Sequence, residues 1–86
     1  MYSVEYLESV QKDIIKLSKA TKNMLKKAIE KKLMINPIEF GKPLQYSLKG
    51  LRRLRVEDYR TIYLINFEKK IVLIVKIGHR KEVYEG

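Results

Sequence analysis

Residues 51–65 read LRRLRVEDYRTIYLI, and this stretch decides the fold. It carries four arginines, yet its apolar and polar residues alternate as in a half-buried strand rather than a charged tail. With a period of two, Leu54 and Val56 point one way while Arg53 and Arg55 point the other. We therefore predict a strand that buries one face and presents two guanidinium groups on the opposite face.

A third arginine follows this strand directly. Arg60 comes just after the turn at Glu57-Asp58 and begins the next apolar run. Arginine stays protonated near neutral pH and offers a planar fork of donors, which suits phosphate better than a neutral ligand. Two structural alternatives to a phosphate site stay open. In one, Arg60 forms a structural salt bridge to Glu57 or Asp58. In the other, the arginines before the turn only keep a strand edge solvated.

The composition limits the classes of protein. Eighty-six residues form one domain, 1–86, and there is no cysteine and only one histidine to ligate a metal. We therefore expect no cofactor and no metal. The net charge of +9 favours a polyanion as partner: nucleic acid, an anionic membrane surface or an acidic protein. No apolar run approaches the ~20 residues of a membrane span, and the N-terminus lacks the order of a signal peptide, so we expect a cytoplasmic protein.

The remaining pattern predicts the order β-α-α-β-β-β. Met1–Tyr6 alternates as a strand, helical spacing follows from Leu7, and Thr21 is a plausible N-cap for a second helix that ends at Asn36-Pro37. We expect a loop over 38–50 and strands over 51–57, 59–67 and 71–78. This order predicts an α+β fold, in which an N-terminal strand and a two-helix hairpin pack on one face of a mainly antiparallel four-stranded sheet.

The last strand is followed by a second basic segment, GHRKEVY at 78–84. In the strand itself, strict alternation predicts one face formed by Ile71, Leu73, Val75 and Ile77 and another by Val72, Ile74 and Lys76. If the last three strands are adjacent, four arginines converge on one patch with two further groups beside them: Arg53, Arg55, Arg60 and Arg80, then His79 and Tyr84. His79 can move protons near neutral pH, whereas Tyr84 can do so only if the arginines lower the pKa of its phenol. Such a patch fits a metal-free ribonuclease, and equally an RNA-binding surface without activity.

Two motifs at this spacing resemble a known family. They are LRRLRVEDYRTIY at 51–63 and IGHRKEVY at 77–84, and the steps Lys42-Pro43-Leu44 and Leu48-Lys49-Gly50 also fit. Together they are similar to the RelE/ParE superfamily of toxins, and specifically to its RelE branch. The resemblance implies a RelE-like fold, a ribosome-dependent mRNA endonuclease activity and silencing by an acidic, RelB-like antitoxin.

The resemblance also implies roles for single residues. The catalytic set is Arg60 and Arg80, which would stabilise the transition state, Tyr84 beside the attacking 2′-OH, and His79 as a local base or a bystander. The RNA-binding set is Arg53, Arg55, Arg52, Lys49 and Lys81. The family often has lysine at the strand positions, so a neutral-amine base is not expected here. Two alternatives remain on the same scaffold, a ParE-like poison of DNA gyrase and a non-catalytic RNA- or antitoxin-binding module.

Overall fold

The computed structural model describes residues 1–45, 47 and 49–83. Its elements are β1 Ser3–Tyr6, α1 Glu8–Ile15, α2 Lys19–Leu33, α3 Pro37–Phe40, β2 Lys42–Pro43, β3 Arg52–Val56, β4 Tyr59–Asn66 and β5 Ile71–His79. Tyr84, which the sequence analysis places in the catalytic set, lies outside the described residues. Within the described ranges, no helix is both long enough and apolar enough to span a membrane.

One mixed sheet forms the centre of the fold. Its strand order is β1-β5-β4-β3-β2, with β1 parallel to β5 and all other neighbours antiparallel. The predicted α+β class is therefore confirmed. The sheet has five strands rather than four, because Lys42 pairs with Arg53 and Pro43 with Arg52. The segment predicted as a loop thus contributes a short edge strand, and it also contains most of α3.

The second helix begins earlier than the sequence suggested. The Ser18 hydroxyl oxygen accepts the backbone N–H of Thr21 at 3.2 Å, so Ser18 is the N-cap and α2 starts at Lys19. The prediction that Thr21 is the N-cap was wrong, because its amide is one of the first free donors of the helix and needs an acceptor three residues before it. Asn36 caps α3 in the same way by accepting from the amide of Glu39 at 3.2 Å.

The core lies between the helices and one face of the sheet. Val10 of α1 and three residues of α2 pack against the strands: Leu25, Ile29 and Leu33. In β3, Leu54 and Val56 are buried there, as the alternation predicted. None of the described helices lies on the opposite face of the sheet, which we call the open face.

A β-bulge changes the alternation of β5. Tyr63 pairs with Ile74 but Ile62 pairs with Lys76, so Val75 is an extra residue between them. Residues after Val75 therefore face the opposite side of the sheet from the one that strict alternation predicts. Ile77 is 5% exposed and belongs to the same core as Ile74. The predicted assignment of Ile77 and Ile74 to opposite faces was wrong for this reason.

Candidate nucleic-acid interface

Two arginines lie directly opposite each other on the open face. Arg55 of β3 pairs with Arg60 of β4, which in turn pairs with Gly78 of β5. Side chains of directly opposed residues share a face, with Cβ atoms about 4.5–5.5 Å apart. Arg53 lies on the same face one step further along β3, opposite Ile62. Like charges placed directly opposite each other repel.

The Arg60 guanidinium is folded over the turn that joins β3 and β4. Its Nη1 donates to the carbonyl oxygens of Glu57, at 3.3 Å, and Tyr59, at 3.2 Å. Glu57 has a positive φ of 53°, which gives this two-residue turn its sharp reversal. Carbonyl oxygens orient a guanidinium without neutralising its charge. These two contacts therefore fix the direction of Arg60 at the end of the open face.

The end of β5 is anchored to the same turn. The backbone N–H of Arg80 donates to the Asp58 carbonyl oxygen at 2.7 Å, and the Arg80 Nε lies 3.9 Å from the Asp58 carboxylate. Both side chains are well exposed, so the ion pair contributes roughly 0–1 kcal/mol, and the backbone bond mainly sets the position. Arg80 is thereby brought to the end of the sheet where Arg55 and Arg60 lie.

Gly78 makes room for the segment that follows β5. A Cβ at Gly78 would lie 2.6 Å from Cγ2 of Val83, closer than two carbon atoms can approach. Val83 is 7% exposed, and its N–H donates to the His79 carbonyl oxygen at 3.2 Å. The chain after β5 therefore folds back tightly over Gly78, and this carries residues 80–83 past the Arg60 position.

His79 does not lie beside the arginines. It pairs with Tyr59 on the helix-covered face, because the β5 bulge moves it there, and the two rings meet edge to face with centroids 5.7 Å apart. Its Nδ1 accepts the backbone N–H of Lys81 at 3.3 Å. The expectation that His79 joins the arginine patch does not agree with this geometry.

Arg52 also points away from the open face. Its Nη2 donates to the carbonyl oxygens of Ile38, at 2.5 Å, and Gly41, at 3.0 Å. The guanidinium therefore ties the end of α3 and the start of β2 to β3. Arg52 lies near the Tyr63 hydroxyl as well, where burial raises the pKa of Tyr63 and the Arg52 charge opposes that rise. This geometry gives Arg52 a structural role.

The two lysines in the predicted RNA-binding set lie in different places. Lys49 lines a cavity with Leu64 and Phe67 towards the far end of the open face. Leu64 comes four positions after Arg60, which is about 13 Å along a strand. Lys81 is exposed in the turn after Arg80, at the arginine end. The structure thus brings together Arg53, Arg55, Arg60 and Arg80 with Lys81 nearby, and separates Arg52, Lys49 and His79 from them.

Sequence reasoning missed the residues that hold the site in place. Asp58 was considered as a partner of Arg60, whereas the structure pairs it with Arg80. The approach of Val83 to Gly78 was not foreseen either. The Asp58–Arg80 contact joins positions far apart in the chain, which periodicity cannot detect. In the described part of the chain, no group of three or more His, Cys, Asp or Glu residues could hold a metal ion.

Comparison with protein families identifies the class. The family described as the ParE toxin of type II toxin–antitoxin systems, parDE, matches residues 4–84. The chain therefore belongs to this family of toxins, within the RelE/ParE superfamily that its two motifs resemble.

Its individual relatives carry RelE-type names. Toxin RelG of Mycobacterium tuberculosis (strain ATCC 25618 / H37Rv) is 29% identical over 83 residues, covering 96% of this chain and 95% of the relative. Toxin RelE of the same organism is 40% identical over 52 residues, covering 60% and 54%. The toxin–antitoxin complex RelBE2 from Mycobacterium tuberculosis contains a similar chain, with a TM-score of 0.84, 29% identity and coverage of 92% and 98%. The isolated E. coli RelE toxin is also similar, with a TM-score of 0.75, 25% identity and coverage of 92% and 84%.

Proposed function

We propose that this toxin is an endoribonuclease that cleaves mRNA bound to the ribosome. The observation that carries the proposal is the cross-strand pair Arg55–Arg60 on the open face, with Arg80 anchored at the same end of the sheet. Three cations at one end of an open sheet face suit a reaction whose transition state gains negative charge on phosphate oxygens. The RelE-type relatives support the same assignment, whereas the ParE family match is shared with the gyrase-poison alternative.

The reaction that fits these residues uses the RNA's own nucleophile. The 2′-oxygen attacks the adjacent phosphorus, the bond to the 5′-oxygen breaks, and the products are a 2′,3′-cyclic phosphate and a free 5′-OH. The attacking hydroxyl gives up its proton to a base, and the leaving oxygen receives one. Because the 2′-OH is already next to the phosphorus, the step gains the advantage of an intramolecular reaction. No metal-bound hydroxide is needed for this route.

In this mechanism each residue has a separate task. Arg60 and Arg80 stabilise the phosphorane, while Arg53 and Arg55 guide the mRNA strand towards them. Tyr84 is the proposed proton-transfer group, as the resemblance implies. His79 receives no role, since its ring lies on the helix-covered face.

The proposed partner in the inactive state is an acidic, RelB-like antitoxin. A net charge of +9 speeds encounter with an acidic protein. The similar chain in the RelBE2 complex belongs to a toxin–antitoxin pair. An antitoxin that covers the open face would block access of mRNA to Arg55 and Arg60.

Mapping of mRNA ends after incubation with programmed ribosomes tests the proposal. We expect new 5′-OH ends within the codon in the decoding site, and no cleavage when a single 2′-deoxynucleotide replaces the residue 5′ of the cut. Efficient cleavage of the deoxy substrate would contradict the mechanism and indicate an external water as nucleophile. Intact mRNA together with inhibition of gyrase supercoiling would instead support a ParE-like gyrase poison.

Matched variants separate the site from the scaffold. Arg60→Ala and Arg80→Ala should each lower the cleavage rate by ~10²-fold or more, as loss of one charge-stabilising contact does. Leu54→Ala should instead destabilise the buried core by ~2–5 kcal/mol. Equal destabilisation by Arg60→Ala and Leu54→Ala, measured by urea unfolding, would make Arg60 a structural residue and reject it as part of the site.

A further inference from the structure

A small cavity lies where the outer edge of β3 is left unpaired. β2 pairs with β3 only through Lys42 and Pro43, so none of the described strands lies beside the outer edge beyond Arg53. The cavity has a volume of about 180 Å³ and is lined by Lys32, Phe40, Lys42, Arg53, Leu54 and Arg55. These side chains come from the last turn of α2, the end of α3, and strands β2 and β3.

The lining is dominated by positive charge. Four of the six lining residues are Lys or Arg, and no acidic side chain is among the described residues that line the cavity. Lys32 is half-buried and Lys42 is exposed, and neither lysine forms an ion pair within the described part of the chain. Bringing the ammonium groups of Lys32 and Lys42 into one cavity raises the free energy of the fold unless an anion shares them. The cavity is therefore suited to an anion of about the size of a phosphate group.

The backbone at Phe40 and Lys42 is held by one buried and one partly buried hydrogen bond. The residue between them, Gly41, is buried, and its carbonyl oxygen accepts from Arg52 at 3.0 Å. The Tyr63 hydroxyl donates to the Pro37 carbonyl oxygen at 2.6 Å and holds the start of α3. The Phe40 ring is nevertheless 49% exposed at the rim of the cavity. A backbone that is already held in place at Phe40 and Lys42 lowers part of the entropy cost of binding a ligand there.

Arg53 and Arg55 connect the cavity to the open face. Both residues line the cavity, and Arg55 also pairs with Arg60. Adjacent strands are about 4.8 Å apart, so a nucleic-acid strand that passes Arg60 reaches the edge of β3 within about one strand spacing. A cavity this narrow, with only two apolar side chains among the six that line it, suits a phosphate group better than the apolar anchors of a protein partner.

We propose that this cavity binds a backbone phosphate of single-stranded RNA, with the Phe40 ring stacked on a neighbouring base. That this phosphate lies next to the scissile phosphate rests on the proposed function. Lys32 and Lys42 supply charge at the phosphate, and Phe40 supplies an uncharged contact that accepts any base.

The salt dependence of RNA binding tests the role of the two lysines. The double variant Lys32→Gln/Lys42→Gln is compared with the wild type by fluorescence anisotropy, using a labelled 2′-O-methyl RNA oligonucleotide that cannot be cleaved by 2′-OH attack. Each phosphate contact on a single strand contributes ~0.7 to the slope of log Kd against log salt concentration. We expect the slope to fall by about 0.7 and the affinity at low salt to fall by about tenfold.

A matched control removes the same charge elsewhere. Lys19→Gln/Lys22→Gln changes two lysines near the N-terminal end of α2, about 15–20 Å from Lys32 at 1.5 Å per residue. We expect this control to leave the slope unchanged. Circular dichroism and thermal unfolding of both double variants establish that each is folded.

The aromatic contact is tested separately. Phe40→Leu should lower the affinity by roughly tenfold, since stacking on one base is worth about 1–3 kcal/mol. It should leave the slope unchanged, because the stacking partner carries no charge. This pattern distinguishes a base contact from a phosphate contact within one cavity.

Two results would overturn the proposal. One is an equal slope for the cavity variant and its control; the other is a loss confined to the binding of an acidic antitoxin, which would assign the cavity to a protein partner. The proposed nuclease activity can be rejected independently of these results. If the wild type leaves mRNA intact on ribosomes while the slope still falls in the Lys32→Gln/Lys42→Gln variant, the phosphate site stands and the nuclease is rejected.

Discussion

Two adjacent arginines in β3 should respond to the same substitution to different extents. Arg52 faces the helix-covered side and donates to the carbonyl oxygens of Ile38 and Gly41, whereas Arg53 faces the open side. Substitution by methionine keeps most of the apolar stem and removes the guanidinium donors. We expect Arg52→Met to destabilise the protein more than Arg53→Met does.

The magnitude follows from the contacts of Arg52. A hydrogen bond that involves a charged group contributes about 1.5–3 kcal/mol, and an exposed one less; of these two bonds, only the one to Gly41 is partly buried. The Arg52 Nε is buried and has no hydrogen-bond partner among the described residues, so removing it relieves part of the cost of burying an unpaired donor. A net loss of about 2 kcal/mol results, which corresponds to a fall in Tm of roughly 8–16 °C for a domain of this size. For Arg53→Met we expect a smaller loss, because this side chain faces the open side of the sheet.

Urea unfolding followed by far-ultraviolet circular dichroism measures both changes. The two variants have the same composition, so an effect of net charge on the unfolded state cancels between them. An unchanged m-value would show that the comparison concerns the native state. If the two variants have free energies of unfolding within about 0.5 kcal/mol of each other, the bonds from Arg52 do not hold the α3–β2 corner and the structural role is refuted.

Three further predictions concern single positions. Tyr6→Phe should stabilise the fold by about 1 kcal/mol near neutral pH, because the buried Tyr6 hydroxyl finds no hydrogen-bond partner in the described part of the chain. This advantage should grow between about pH 10 and pH 12 in urea unfolding, since burial and then a nearby carboxylate raise the pKa of Tyr6 to about 12 and the unfolded state ionises first. Gly41→Ala should cost about 3 kcal/mol of stability, because a Cβ there would overlap the Tyr63 hydroxyl; no loss in thermal unfolding would contradict the close approach. Gly78→Ala should displace Val83 and the turn that carries Arg80, and so lower mRNA cleavage by about 100-fold. Cleavage at the wild-type rate would show that this turn does not position the site.

The sequence by itself determined four of the five strands of the described sheet and the class of toxin. In β3 a period of two assigned Leu54 to the core and Arg53 to the open face, because a strand exposes alternate side chains to opposite environments. The spacing of the two arginine motifs was specific enough to indicate the superfamily, which the family match confirmed. Short-range patterns sufficed for these conclusions, since one rests on the period within a single strand and the other on the residues within two short motifs.

Only the tertiary structure decided which of the polar residues meet. The bulge in β5 depends on how that strand pairs with β4, and one extra residue moved His79 from the expected open face to the helix-covered face. Arg52 looked like its neighbour Arg53, but its role depends on carbonyl oxygens that α3 and β2 bring to it from 11 and 14 residues away. Such contacts join distant positions and leave no periodic trace in the sequence, so pairing and packing had to decide them.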